Sequence, residues 1–237
     1  MTFKPLAFAL ASFTLMASAS AVTTWNLAGD YAENLNPNGV WTYGAENSGF
    51  SALAWNAATS SYGIAAPGET FIYKNTSGVA DYGIAPGQVS LEADWGTPVV
   101  RWIAPAAGNY SFAVAVGGTT ASGPGGFGNN FATYAGVQIN GTAQAATSFA
   151  GNVKLWSFTA LLASGDTVDT FVTNPGFAAG GNTQTAISIS VVPEPTSALL
   201  LALGIGGLAL TSLRRRSSAV KAERLSQAGW RVPAAML

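Results

Sequence analysis

The chain has 237 residues, only 9% of them charged, a formal net charge of −1, and neither cysteine nor histidine. Those two absences exclude disulfide staples, Ser-His-Asp and Cys-His catalysis, and the usual zinc ligands. With 49% hydrophobic and 11% aromatic residues, the chain is too apolar for a disordered Gly/Ser/Asn polymer and must be held by packing.

Residues 1–21 have the three parts of a secretory signal: Lys4 as the positive start, an apolar run over 6–16, and the small-residue exit Ala19-Ser20-Ala21. Cleavage before Val22 is expected. The body that follows, residues 22–192, has the length of one domain. Its nine acids and three bases leave it at −6, which argues against nucleic acid as a partner, because phosphate backbones are bound by clustered Lys and Arg.

No helical period runs through this body, and short apolar alternations separated by turn residues predict strands. They fall at 23–27, 39–43, 51–55, 70–74, 89–92, 99–103, 110–116, 134–139, 154–162, 167–172 and 185–191. In 110–116 the period of two places Tyr110, Phe112, Val114 and Val116 on one face and Ser111, Ala113 and Ala115 on the other. Asn36-Pro37-Asn38-Gly39, Asn140-Gly141 and Ser164-Gly165-Asp166 supply the turn chemistry between strands. Many short strands with regular breaks predict an all-β, antiparallel β-sandwich or jelly roll.

Chemistry-bearing motifs are few. Gly123-Pro124-Gly125-Gly126-Phe127-Gly128 matches the dinucleotide pattern, but no helix start follows and the next acid, Asp166, is too distant to hold a ribose, so no cofactor is expected. Glu92/Asp94 and Asp166/Asp169 are the available carboxylate pairs for a glycosidase, although Asp166 sits where a turn needs a cap. No Asp-rich calcium loop is present, and neither a metal site nor a catalytic residue is assigned. Aromatic rings are the better lead, because sugars stack their apolar faces on exposed Trp and Tyr. Trp41, Trp55, Trp95 and Tyr134 lie near turns and are the candidate glycan contacts, with Trp95 first because Asp94-Trp95-Gly96-Thr97-Pro98 is rich in turn residues. Trp25, Trp102 and Trp156 follow strand patterns and are expected in the core.

The end of the chain, VVPEPTSALLLALGIGGLALTSLRRR over 191–216, joins a stalk, an apolar run and a basic cluster. Pro193 and Pro195 lack N–H donors and favour extended geometry, leaving Glu194 exposed between them. Residues 196–213 carry no charge, and as a helix they cover about 27 Å, close to the bilayer's hydrocarbon core. Arg214, Arg215 and Arg216 form the membrane stop and place the C-terminus in the cytoplasm and the body outside. Residues 217–237 follow as a cytoplasmic extension.

Pro193-Glu194-Pro195, the apolar span and the three arginines together resemble the PEP-CTERM sorting signal of Gram-negative exports. That resemblance implies an exosortase-type processing enzyme as partner and the inner membrane in transit, followed by release or transfer to the cell surface. The stretches VVRWIAPAAGNY (99–110), ASGDTV (163–168) and NPNGVWTYG (36–44) resemble segments of PEP-CTERM ectodomains and of carbohydrate-binding-module-like jelly rolls. The expected function is that of a secreted, non-enzymatic cell-surface or extracellular-matrix protein in a biofilm setting. A carbohydrate-binding module for exopolysaccharide is the alternative, and a glycan-active enzyme the third reading.

Overall fold

A computed structural model describes residues 23–63, 69–93, 96–118, 133–149, 153–173 and 182–193. The chain divides into two compact units, Met1–Val192 and Pro193–Leu237, and of the second only Pro193 is described. Glu194, Pro195, the expected span and the three arginines lie outside the described residues, as does the glycine-rich match at 123–128. Among the described residues no helix is long and apolar enough to cross a membrane.

The first unit is an antiparallel β-sandwich. Its elements in chain order are β1 (Thr24–Asn26), α1 (Leu27–Asp30), β2 (Trp41–Glu46), β3 (Phe50–Ala52), β4 (Trp55–Asn56), β5 (Ser61–Gly63), β6 (Thr70–Lys74) and β7 (Val89–Ala93). They continue with β8 (Thr97–Ile103), β9 (Gly108–Gly118), β10 (Thr133–Ile139), β11 (Thr142–Phe149), β12 (Val153–Leu162), β13 (Thr167–Thr173) and β14 (Asn182–Val191). One sheet has eight strands in the order β12-β9-β14-β7-β6-β5-β4, with β1 also on β14; the other has six, in the order β11-β10-β13-β8-β2-β3. On one edge β14 pairs with β9 over Thr183 to Val191, and its other edge is shared end to end by β7 and β1.

The core between the sheets follows from the period of two. Tyr110, Phe112, Val114 and Val116 of β9 all point inward and are at most 2% exposed, as their alternation predicts. Facing them across the sandwich is Trp102 of β8, whose ring meets Tyr110 edge-on at 5.0 Å and Phe112 at 5.7 Å. Tyr43 of the six-stranded sheet stacks on Tyr62 of the eight-stranded sheet at 4.6 Å, stapling the other end of the core. Aromatic pairs of this kind add about 0.5–1.5 kcal/mol each beyond area burial, which helps a chain without disulfides.

Each expected strand is present, but the stretch 51–55 breaks into β3 and β4, and two strands went unforeseen. Thr142–Phe149 reads TAQAATSF, with no apolar period, and it becomes a strand because the Asn140-Gly141 turn folds it back on β10. Both turn residues have positive φ, 50° and 77°, the geometry that an Asn-Gly hairpin turn supplies. Ser61–Gly63 is too short to show periodicity, and it is placed by Tyr62, fully buried, whose hydroxyl donates to Ala32 O and accepts from Leu35 N. The single turn α1 was also unforeseen. Asn26 Oδ1 accepts from Gly29 N at 2.9 Å while Asp30 Oδ2 accepts from Asn26 N at 2.8 Å, a reciprocal cap.

Candidate functional site

The outward face of the six-stranded sheet gathers aromatic and charged side chains on neighbouring strands. In β8, Val100 and Trp102 point into the core, so Val99 and Arg101 point out. Register then places Asp169 of β13 directly opposite Arg101, and Phe171 opposite Val99. Arg101 Nε donates to Asp169 Oδ1 at 2.7 Å and Nη2 donates to Oδ2 at 2.8 Å, a bidentate pair. That hydrogen bond holds the guanidinium pKa above its ordinary value; burial opposes the shift, and the charges of Asp169 and Glu46 add to it. On its other side the guanidinium lies over the Phe50 ring of β3, 3.7 Å from the centroid.

Two glycines let the rings lie flat on the sheet. A Cβ on Gly44 would stand 2.6 Å from Ser51 O and 2.5 Å from Cζ of Phe50, so that ring occupies the space above β2. A Cβ on Gly136 of β10 would meet Cζ of Phe171 and Ala145 O, each at 2.7 Å. Phe171 in turn lies 6.2 Å from the ring of Tyr134, which is half-buried at the start of β10. Phe50, Arg101, Asp169, Phe171 and Tyr134 thus form a band of rings around an ion pair. Such a band offers the half-buried Tyr134 ring for stacking, since Phe171 is 8% exposed and Phe50 lies between Gly44 and the guanidinium, and it offers N–H donors on Arg101 beyond the two that Asp169 accepts from.

Of the four candidate glycan contacts, Tyr134 lies on this band. Trp95 lies outside the described residues. Trp55 is half-buried on the short edge strand β4, its ring edge-on to Tyr62 at 5.1 Å. The expectation for Trp41 is corrected: it is 1% exposed, with Nε1 donating to Asp30 Oδ2 at 3.1 Å, and its ring belongs to the core. Proximity to a turn misled, because β2 is buried along five of its six residues. Trp102 is in the core as expected, and Trp25 and Trp156 pack against it half-buried.

Of the two carboxylate pairs, only Asp166/Asp169 lies wholly within the described residues. Asp166 caps its turn, Oδ2 accepting from Ala163 N at 2.7 Å and Oδ1 from Asn140 Nδ2, while Asp169 is engaged by Arg101. Glu92 is 2% exposed on the outward side of β7, and Asp94 lies outside the described residues. No group of three or more carboxylates able to hold a metal ion is present among the described residues. Arg101, Asp169, Phe50 and Phe171 were missed from sequence as a group, because only strand register brings them together.

No family model matches the chain, and no curated protein matches it. Among solved structures, a family 35 carbohydrate-binding module from Clostridium thermocellum is 18% identical over 51% of this chain and 90% of its own, with a TM-score of 0.30. The pika GITRL structure is 14% identical over 41% of this chain and 79% of its own, with a TM-score of 0.27. A CBM36 module in complex with calcium and xylotriose is 14% identical over 43% of this chain and 76% of its own, with a TM-score of 0.26. Likenesses this slight carry no argument about ligand or mechanism.

Proposed function

We propose that this chain is an exported, non-catalytic β-sandwich protein of the cell surface or extracellular matrix, delivered through a PEP-CTERM-like tail and processed by an exosortase-type enzyme. The observation that carries this reading is the pairing of the first strand with the last. Thr24 opposes Ser190, Trp25 opposes Ile189 and Asn26 opposes Ser188, and Val191 N donates to Thr23 O at 3.1 Å. Every described strand lies between Thr24 and Val191. Removal of a signal peptide before Val22 and a cut at Pro193-Glu194-Pro195 would both leave the two sheets whole. A domain that is to be severed from a membrane stub needs this closure.

The tail is tested in the native host with one epitope in the body and another within 217–237. Wild-type protein is expected to lose the C-terminal epitope on maturation, whereas Glu194→Ala is exported but stays full-length in the inner membrane. Retention of the C-terminal epitope on mature wild-type protein would reduce the tail to an anchor.

Carbohydrate binding, with exopolysaccharide as the ligand class, is a second reading. It is favoured by the half-buried Tyr134 ring beside Phe171 and the guanidinium of Arg101 on Phe50. A glycan array with residues 22–192 tests it. Binding that Tyr134→Ala abolishes without lowering the melting temperature supports the outward face as the site; binding that survives this change places it elsewhere, with Trp95 next to be substituted.

A further inference from the structure

We propose that β12 is a self-association edge, at which the eight-stranded sheet of one copy continues into that of a second copy through an antiparallel β12–β12 pair. Sheet edges expose unpaired backbone groups, and proteins protect them by shortness, charge, proline or bulges. Edge strands β1, β3 and β4 have three residues or fewer, and β11 carries a register shift opposite Val137/Gln138. β12 lacks all of these except one charge near its N-terminal end. It runs for ten residues in unbroken register with β9, contains no proline, and bears a single charge, Lys154, near its start. Among the described residues its other edge has no partner strand.

The side chains of β12 point to the same conclusion. Five large hydrophobics are strongly exposed among the described residues, and three stand on the outward face of this strand: Val153 at 62%, Leu155 at 75% and Leu161 at 82%. Their neighbours on β9 do not cover them, since Leu155 lies opposite Ala115, Val153 opposite Gly117 and Leu161 opposite Asn109. A two-fold axis at Phe158 would set Leu155 of one copy opposite Leu161 of the other, and Ser157 opposite Thr159, on the same outward face. The strand is thus complementary to itself. Charge agrees, because Leu155 to Leu162 carry none, so two bodies of net charge −6 can meet here without local repulsion. Paired over residues 154–162, the two strands make about ten backbone hydrogen bonds, the number a standard protein interface carries.

The test is sedimentation velocity on the full chain in detergent micelles, from low to high micromolar concentration, with Leu155→Lys, Leu161→Glu and the double variant. Both positions are exposed, so folding is preserved, which circular dichroism checks. A dimer is expected for the wild type, and each single change should raise its dissociation constant about tenfold or more. In the double variant the introduced lysine of one copy faces the introduced glutamate of the other, and affinity should return to within about threefold of wild type. A wild type that stays monomeric, or a dimer indifferent to both single changes, overturns the proposal. Failure of the double variant to recover overturns the antiparallel register about Phe158.

Discussion

Arg101 and Asp169 stand directly opposite each other on β8 and β13 and are joined by two parallel hydrogen bonds of 2.7 and 2.8 Å. The pair is unequal: the arginine side chain keeps 24% of its exposure and the aspartate 7%. Removing the arginine therefore leaves a nearly buried carboxylate, whereas removing the aspartate leaves a guanidinium that still reaches solvent and the Phe50 ring. Arg101→Met should destabilise the domain by about 2–3 kcal/mol and Asp169→Asn by about 1 kcal/mol, read from urea unfolding. A larger loss for Asp169→Asn would show that the aspartate holds more than this one partner.

Alkaline pH should unfold the domain through buried Tyr43 and half-buried Tyr31 and Tyr73. Burial, first among the causes, raises Tyr31, Tyr43 and Tyr73 above their ordinary value of 10.0; the neighbouring Tyr62 adds for the first two, and Asp81 with Glu92 for the third. The unfolded chain releases these protons near pH 10.0 while the folded one retains them, so stability is complete below that pH and falls above it. Each of these tyrosines contributes a loss of up to about 1.4 kcal/mol per pH unit in that window. Tyrosinate absorbance should then appear together with unfolding; ionisation of all seven tyrosines with the strand signal intact would refute the argument.

Gly136→Ala tests whether the rings of the outward face rest on bare backbone. The added Cβ would stand 2.7 Å from both Cζ of Phe171 and Ala145 O, and the carbonyl belongs to the paired strand and cannot swing aside. A loss of about 1–3 kcal/mol is expected, with glycan binding, where present, weakened along with it. Gly141→Ala makes no such contact and is strained only by its positive φ of 77°, so it separates steric clash from backbone preference.

The amino-acid sequence by itself determined the class of fold and most of its strands, because alternation of apolar residues over five or more positions, as in Tyr110 to Val116, can be satisfied only by a half-buried strand. It determined the turns too, since Asn140-Gly141 and Gly165 take up positive φ through their own chemistry. It also excluded histidine- and cysteine-dependent catalysis by composition alone. Only the tertiary structure decided which rings are reachable. Trp41 and Tyr134 look alike in sequence, each aromatic and close to a turn, yet one is 1% exposed against Asp30 and the other is half-buried on the outward face. Facing is set by which sheet covers a strand, and the pairing of Arg101 with Asp169, 68 residues apart, is set by register between strands. Both are properties of contacts between distant segments, for which local periodicity carries no signal.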